Sequence, residues 1–165
     1  MCGISGFLDR SHSLGTHELE AIVLKMVNTL YHRGPDASGA WADAAAGIAL
    51  GHRRLAIVDL SPQGHQPMRS ACGRYVISFN GEVYNFKALR RELEDVGYQF
   101  RGHSDTEVML ACISQWGLFP AVKRFNGLAI AVGSRIPGET RLPGPRDVRA
   151  WLTDLLTESV RSGPA

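Results

Sequence analysis

The chain has 165 residues, of which 44% are hydrophobic and 21% charged, and its formal net charge at pH 7 is +2. These values are typical of a globular domain with a core of its own, and they exclude nucleic acid as the main partner because no concentrated basic face is present. No apolar run approaches the roughly 20 residues that span a bilayer, and the start of the chain lacks the pattern of a signal peptide. We therefore expect a cytoplasmic protein without a membrane partner.

Hydrophobic patterning predicts both strands and a helix in the first half of the chain. The helix has Thr16 as its N-cap and extends to about His32, because apolar residues recur there at helical spacing and Gly34-Pro35 then stops it. Apolar runs bounded by polar or turn residues predict strands at residues 3–8, 47–52 and 55–59, the last two around a polar kink at 52–54.

The second half alternates strands and helices. Residues 74–79 predict a strand, and Asn80-Gly81 ends it as a turn. Two amphipathic helices follow. The first has Asn85 as its N-cap and ends at Gly97, and the second begins with a capping box at 104–107 and ends at Gly117. Residues 128–132 predict a final strand.

The composition changes after that strand. Residues 133–146 contain three Gly and three Pro and predict a linker, and residues 147–165 predict an amphipathic helical tail. The predicted organisation is therefore a domain at 2–132, a linker and a tail.

Cysteine and histidine usage argues against a metal centre. Cys2, Cys72 and Cys112 lie far apart, no CxxC pair occurs and the histidines are scattered. Neither a disulfide framework nor a zinc site is predicted from this spacing.

Cys2 is the first candidate for chemistry. Removal of Met1 would expose one residue that carries both a thiol and a free α-amine. An α-amino group has an ordinary pKa of roughly 7.7–8.0, so on the order of a tenth is neutral at pH 7 and can accept the thiol proton. The alternative is an incidental or buried cysteine.

Asn80-Gly81 is the second candidate, because a thiolate that attacks an amide creates an oxyanion. A side-chain amide beside a flexible backbone N–H can supply two donors to that oxyanion. The alternative is a plain Asn-Gly turn.

Three further groups have the chemistry of amino-acid recognition. Arg54 offers a planar fork for a carboxylate, and Arg53 should point to the opposite face of the strand. Asp105 could pair with an ammonium, although the start of a helix favours a carboxylate in any case. Residues 32–36 could form either a site wall or a rigid turn, and their spacing leaves both open.

The order of the motifs resembles that of class II glutamine amidotransferases, and specifically of asparagine synthetases. The segments that carry this resemblance are MCGISG at the start, HRGPDASG at 32–39, GHRRLAIVDLSPQGHQPM at 51–68, FNGEVYN at 79–85 and GHSDTEVML at 102–110.

The resemblance implies an α+β fold of the N-terminal-nucleophile type, a four-layer αββα sandwich of antiparallel sheets. It implies that Cys2 attacks the side-chain amide of L-glutamine while Asn80 and the Gly81 N–H form the oxyanion hole. It assigns the substrate carboxylate to Arg54, and the substrate ammonium to Asp105 with help from Glu82.

The family pattern stops near residue 132, so we expect a sandwich that is incomplete at its C-terminal end and no synthetase domain in this chain. ATP and magnesium would belong to that missing domain, and no cofactor is predicted here. A synthetase domain or subunit acting in trans is the expected partner. The alternative is a non-catalytic remnant or glutamine-binding module.

The predicted mechanism depends on removal of Met1. Protein that retains Met1 carries its α-amine on the wrong residue, so we expect its glutaminase activity to fall at least tenfold. Intact mass of the N-terminus, measured beside ammonia release, checks this. Equal activity of the two forms would contradict the proton-acceptor role of the Cys2 amine.

Overall fold

The computed structural model describes residues 2–56 and 61–135, with the backbone alone at 128–135. The strands are β1 (Gly3–Leu8), β2 (Ala37–Asp43), β3 (Ile48–Arg54), β4 (Met68–Arg69), β5 (Tyr75–Val83) and β6 (Gly127–Arg135). The helices are α1 (Thr16–Asn28), α2 (Phe86–Asp95), α3 (Asp105–Trp116) and α4 (Leu118–Val122), and short 3-10 turns occupy Tyr31–Arg33 and Pro62–Gly64.

The strands form two antiparallel sheets with the orders β1-β3-β2 and β4-β5-β6. Helix α1 packs on the first sheet through Leu19 and Val23, which contact Ala42 and Ala49 in one apolar cluster. Helices α2 and α3 pack on the second sheet in a larger cluster that includes Phe79 and Leu93. The layers are helix, sheet, sheet and helix, as the resemblance implies.

Polar side chains link the two sheets. Ser78 is fully buried and its hydroxyl donates to the Gly51 carbonyl at 3.3 Å. The imidazole Nε2 of His52 lies 3.1 Å from the Phe79 carbonyl. Since consecutive residues of β3 contact consecutive residues of β5, the two strands run in the same direction across the sandwich.

This pairing sets the level of the strand ends. Arg54 follows His52 by two residues and Gly81 follows Phe79 by two residues, so both lie at one end of the sandwich. Gly3 pairs with Arg53 in the first sheet, and Cys2 therefore lies at that same end.

Two predictions about the strands were wrong. No kink interrupts β3 at 52–54, because β1 and β2 pair with it on both sides through those residues. Asn80-Gly81 is not a turn: it continues β5, because β6 pairs with it at Ile130 and Ala129. Strand β2 was not predicted, and of the strand predicted at 55–59 only residues 55–56 are described, outside β3.

The helices begin and end differently in detail. Gly15, rather than Thr16, is the N-cap of α1, and the Glu18 carboxylate accepts its N–H at 2.8 Å. Helix α1 ends at Asn28. The Asn85 side chain is not a cap but bonds the 124–126 segment.

The capping box of α3 is half formed. The Ser104 hydroxyl accepts the Glu107 N–H at 3.2 Å, as predicted. The Glu107 carboxylate instead accepts the N–H groups of Arg101 and Gly102, both at 2.9 Å.

The predicted C-terminal boundaries fall only partly within the described residues. Residues 133–135, which form the start of the predicted linker, belong to β6. The rest of the linker and the tail at 147–165 lie outside the described residues. In the ranges that are described, no helix is both long enough and apolar enough to cross a membrane.

His52 is buried in its neutral form. A carbonyl oxygen only accepts hydrogen bonds, so the contact with Phe79 assigns the proton to Nε2. Burial lowers the pKa of His52 to about 4, and the nearby His65 and Arg54 add to the decrease. Its Nδ1 is buried and has no hydrogen-bond partner among the described residues.

We predict that His52 makes the fold sensitive to mild acid. Its pKa is 6.5 in the unfolded reference and about 4 in the fold, so the unfolded chain binds the extra proton first as the pH falls. The free energy of unfolding should therefore decrease between these pH values, by about 3 kcal/mol from this group. His52→Gln, which keeps an N–H donor, should remove most of that decrease in urea unfolding measured at stepped pH.

The matched control is His17→Gln, since His17 is exposed on α1. It should follow the wild-type pH dependence. Parallel curves for wild type and His52→Gln would contradict the assignment of the neutral imidazole.

Candidate active site

Cys2 lies immediately before β1, and its half-buried thiol contacts the backbone just beyond β3. The Leu55 N–H donates to Sγ at 3.3 Å, and Sγ lies 3.6 Å from the Leu55 carbonyl oxygen. The Arg33 Nε–H donates to the Cys2 carbonyl at 3.2 Å. The sulfur is therefore anchored at the end of the first sheet while part of the residue stays accessible.

Gly3 allows this close approach. A Cβ at this position would lie 2.9 Å from the Leu30 Cβ and 3.3 Å from the Arg53 Cβ. A larger residue would clash first with Leu30, and relief of that clash would displace the start of β1 and Cys2 with it.

Arg53 and Arg54 have separate environments, as the alternation along a strand predicts. Arg53 is buried, donates to the Gly34 and Pro35 carbonyls at 2.8 and 3.2 Å, and stacks on Tyr31. Arg54 is half-buried, and its Nη1 donates to the Ser61 carbonyl at 2.9 Å. Arg53 therefore has a structural role, which leaves Arg54 as the candidate for a substrate carboxylate.

The 32–36 segment braces the same strand end. Its Gly34 and Pro35 carbonyls accept hydrogen bonds from the Arg53 guanidinium. The Asp36 carboxylate accepts the Ala56 N–H at 2.8 Å. The Asp36 N–H in turn donates to the Arg54 carbonyl at 3.1 Å. The segment thus fixes the backbone at 53–56 against which the Cys2 sulfur rests.

Exposure increases along the end of β5. Phe79 is buried, Asn80 is half-buried, and Gly81 and Glu82 are exposed. The pairing between the sheets puts Asn80 and Gly81 at the level of Arg53 and Arg54. The amide side chain and the Gly81 backbone therefore lie at the same end of the sandwich as Cys2.

Asp105 is joined directly to this strand end. It is 6% exposed at the first turn of α3, and its carboxylate accepts the Val83 N–H at 3.0 Å and the Thr106 N–H at 2.8 Å. This anchoring of β5 was not predicted from the sequence, which suggested only a helix start or an ammonium partner. A carboxylate has about four acceptor positions, so the anchoring leaves capacity for a ligand.

Sequence reasoning also missed Gln66. Its side-chain oxygen accepts the Phe79 N–H at 2.6 Å, and the residue is 8% exposed. The only signal was a polar residue inside the 51–68 motif, directly before Pro67.

Among the described residues, no three His, Cys, Asp or Glu side chains are grouped so that they could hold a metal ion.

Comparison with known proteins identifies the family. The glutamine amidotransferase domain family matches residues 1–141. Asparagine synthetase [glutamine-hydrolyzing] 1 of Bacillus subtilis is 42% identical over 111 residues, which cover 67% of this chain and 17% of that protein. Asparagine synthetase B of Escherichia coli is 41% identical over 117 residues, which cover 71% of this chain and 20% of that protein.

A solved structure supports the fold. Glutamine phosphoribosylpyrophosphate amidotransferase from Bacillus subtilis superimposes with a TM-score of 0.61 at 21% identity, covering 81% of this chain and 34% of that one. The chain thus spans at most about a third of the proteins it resembles, and its αββα sandwich is of the N-terminal-nucleophile type. On the match over residues 1–141, the chain belongs to the class II glutamine amidotransferase domain family and is most akin, among these relatives, to asparagine synthetases.

Proposed function

We propose that this domain hydrolyses the side-chain amide of glutamine to glutamate and ammonia through a Cys2 thioester. The observation that supports this best is the shared end of the sandwich: the registers of β1, β3 and β5 put the Cys2 thiol and Asn80-Gly81 at one level. Acyl transfer requires the nucleophile and its oxyanion donors on the same side of the substrate, and their shared end of the sandwich is consistent with this requirement.

The reaction would proceed in two steps. In the first, the α-amine of processed Cys2 takes the thiol proton and the sulfur attacks the amide carbon. Asn80 Nδ2 and the Gly81 N–H stabilise the oxyanion, and the C–N bond breaks as the amine returns the proton to the leaving ammonia. In the second, water attacks the thioester, which releases glutamate and restores the thiol.

Recognition of the free amino acid would use opposite charges. Arg54, whose Nη1 donates to the Ser61 carbonyl, would bind the α-carboxylate through its planar guanidinium. Asp105, with Glu82, would hold the α-ammonium. Burial of Asp105 and partial burial of Arg54 would strengthen the pairs that these two residues make.

The ammonia needs an acceptor that another domain or subunit supplies. We infer that a synthetase-type domain or subunit, which would bring ATP and magnesium, takes up the ammonia, because the relatives that support the family are asparagine synthetases. We place the reaction in the cytoplasm, where a nucleophilic thiol stays reduced; the three cysteines are free.

A thiol-reactive glutamine analogue tests the nucleophile. Processed wild type should gain one adduct mass on Cys2 and release ammonia from glutamine, while Cys2→Ala should do neither. Cys72→Ser is the control for nonspecific labelling, since Cys72 is exposed. Absence of labelling in folded, processed wild type would favour a non-catalytic remnant.

A matched pair of arginine variants tests substrate recognition. Arg54→Lys should raise KM for glutamine by roughly tenfold or more, since a point charge replaces a planar fork, and should lower the unfolding midpoint less than Arg53→Lys does, because Arg54 is the less buried of the two. Arg53→Lys should lower the midpoint, because it loses bonds to the Gly34 and Pro35 carbonyls. Steady-state kinetics and thermal unfolding of both variants check this, and an unchanged KM for Arg54→Lys would contradict its role.

A further inference from the structure

Gln66, Thr106 and Asp105 form a hydrogen-bonded frame around the Asn80–Glu82 segment. At the start of the segment, Gln66 Oε1 accepts the Phe79 N–H at 2.6 Å. At its end, Asp105 Oδ2 accepts the Val83 N–H at 3.0 Å. The three residues that carry the frame's side chains are all buried, at 8%, 2% and 6% exposure respectively.

Thr106 joins the two ends. Gln66 Nε2 donates to its hydroxyl oxygen at 3.4 Å, and the hydroxyl donates to Asp105 Oδ1, also at 3.4 Å. These contacts are longer than the outer ones, but the Thr106 N–H strengthens the link to Asp105 at 2.8 Å. The path from Phe79 to Val83 through side chains is therefore continuous.

The Gln66 end of the frame lies where a longer β4 would pair with β5. Strand β4 pairs with β5 only at Ile77 and Val76, so the Phe79 N–H lies beyond the ladder. Continuation of that register would put Gln66 opposite Phe79, and the Gln66 side-chain amide takes the position of a backbone acceptor. Without it the N–H would be buried and unpaired, which is costly.

Gln66 is itself held from the other sheet. A Cβ on Gly39 of β2 would lie 2.0 Å from the Gln66 carbonyl oxygen and 2.8 Å from His65 Nε2. The loop thus packs directly on β2, and His52 holds the carbonyl of the same Phe79 from β3. Both sides of Phe79 are fixed by side chains that come from outside its own strand.

We propose that Gln66 and Thr106 are positioning residues for the oxyanion hole. They act through Phe79 and Asp105, which fix where the Asn80 amide and the Gly81 N–H point. This inference rests on the proposed glutaminase function. A displacement of about 1 Å in such donors can cost roughly a hundredfold in rate.

Thr106→Val and Thr106→Ser form the decisive pair. Valine keeps the shape and the backbone N–H but removes the hydroxyl, so kcat for glutamine should fall by roughly tenfold to a hundredfold with KM changed less than about threefold. Serine restores the hydroxyl and should recover kcat to within about threefold of wild type. Thr16→Val, an exposed change at the start of α1, should leave kcat unchanged.

Gln66→Met removes the hydrogen bond to the Phe79 N–H. If Thr106→Val fails to fold, the kcat and KM of Gln66→Met test the proposal instead. Gln66→Met should lower kcat, and the double variant should be no slower than the worse single variant, because both break one frame. Unfolding midpoints of each variant separate misplacement from loss of fold.

The outcomes separate this inference from the function on which it rests. If wild type hydrolyses glutamine but Thr106→Val stays within twofold of its kcat, or Thr106→Ser is impaired equally, the positioning role is overturned and the function stands. If processed wild type neither releases ammonia nor is labelled at Cys2, the function is overturned and this inference with it.

Discussion

The whole site depends on the register between the two sheets, which is set at Phe79. Its carbonyl accepts from His52 of β3, and its N–H donates to Gln66 of the loop before β4. Apolar packing between sheets tolerates sliding, because dispersion contacts are weakly directional. The hydrogen bond from His52 does not, since a shift would leave the buried Phe79 carbonyl unpaired, and Gln66 holds the same residue within its own sheet. The register then fixes Asn80-Gly81 relative to Cys2, because Gly3 and Arg53 pair within the first sheet.

Much of the fold and the identity of the candidate residues followed from the sequence, while the residues that hold the candidate site in position did not. Periodicity located α1, α2 and α3, and motif order indicated the family. The Asn80-Gly81 turn was wrong because local propensity favours a turn, whereas β6, more than 40 residues later, supplies the partner that keeps the dipeptide extended. Strand β2 escaped prediction because its sequence, ASGAWAD, has little β-branched character and gains its stability from pairing with β3.

The roles of Gln66 and Thr106 are visible only in three dimensions. Each is an ordinary polar residue in the sequence, and only burial, at 8% and 2% exposure, turns its hydrogen bonds into constraints. The same reasoning separates the two arginines. Alternation along β3 predicts that they face opposite sides, but it cannot say which one the 32–36 turn occupies. In the structure Arg53 donates to the carbonyls of that turn, and Arg54 therefore faces the other side, toward the end of the sandwich where β5 becomes exposed.

The polar groups at this end of the sandwich come at a cost in stability that apolar residues would avoid. His52 keeps an unpaired, buried Nδ1 among the described residues, and such a group costs on the order of 1–3 kcal/mol. A leucine at the same position would pack without that penalty, but it could not hold the Phe79 carbonyl. Leucine would therefore remove the unpaired Nδ1 but leave the buried Phe79 carbonyl without its partner, and it would remove one of the contacts that align the two sheets. The arrangement is understandable if the position of Asn80-Gly81, rather than maximal stability, is what the buried polar residues maintain.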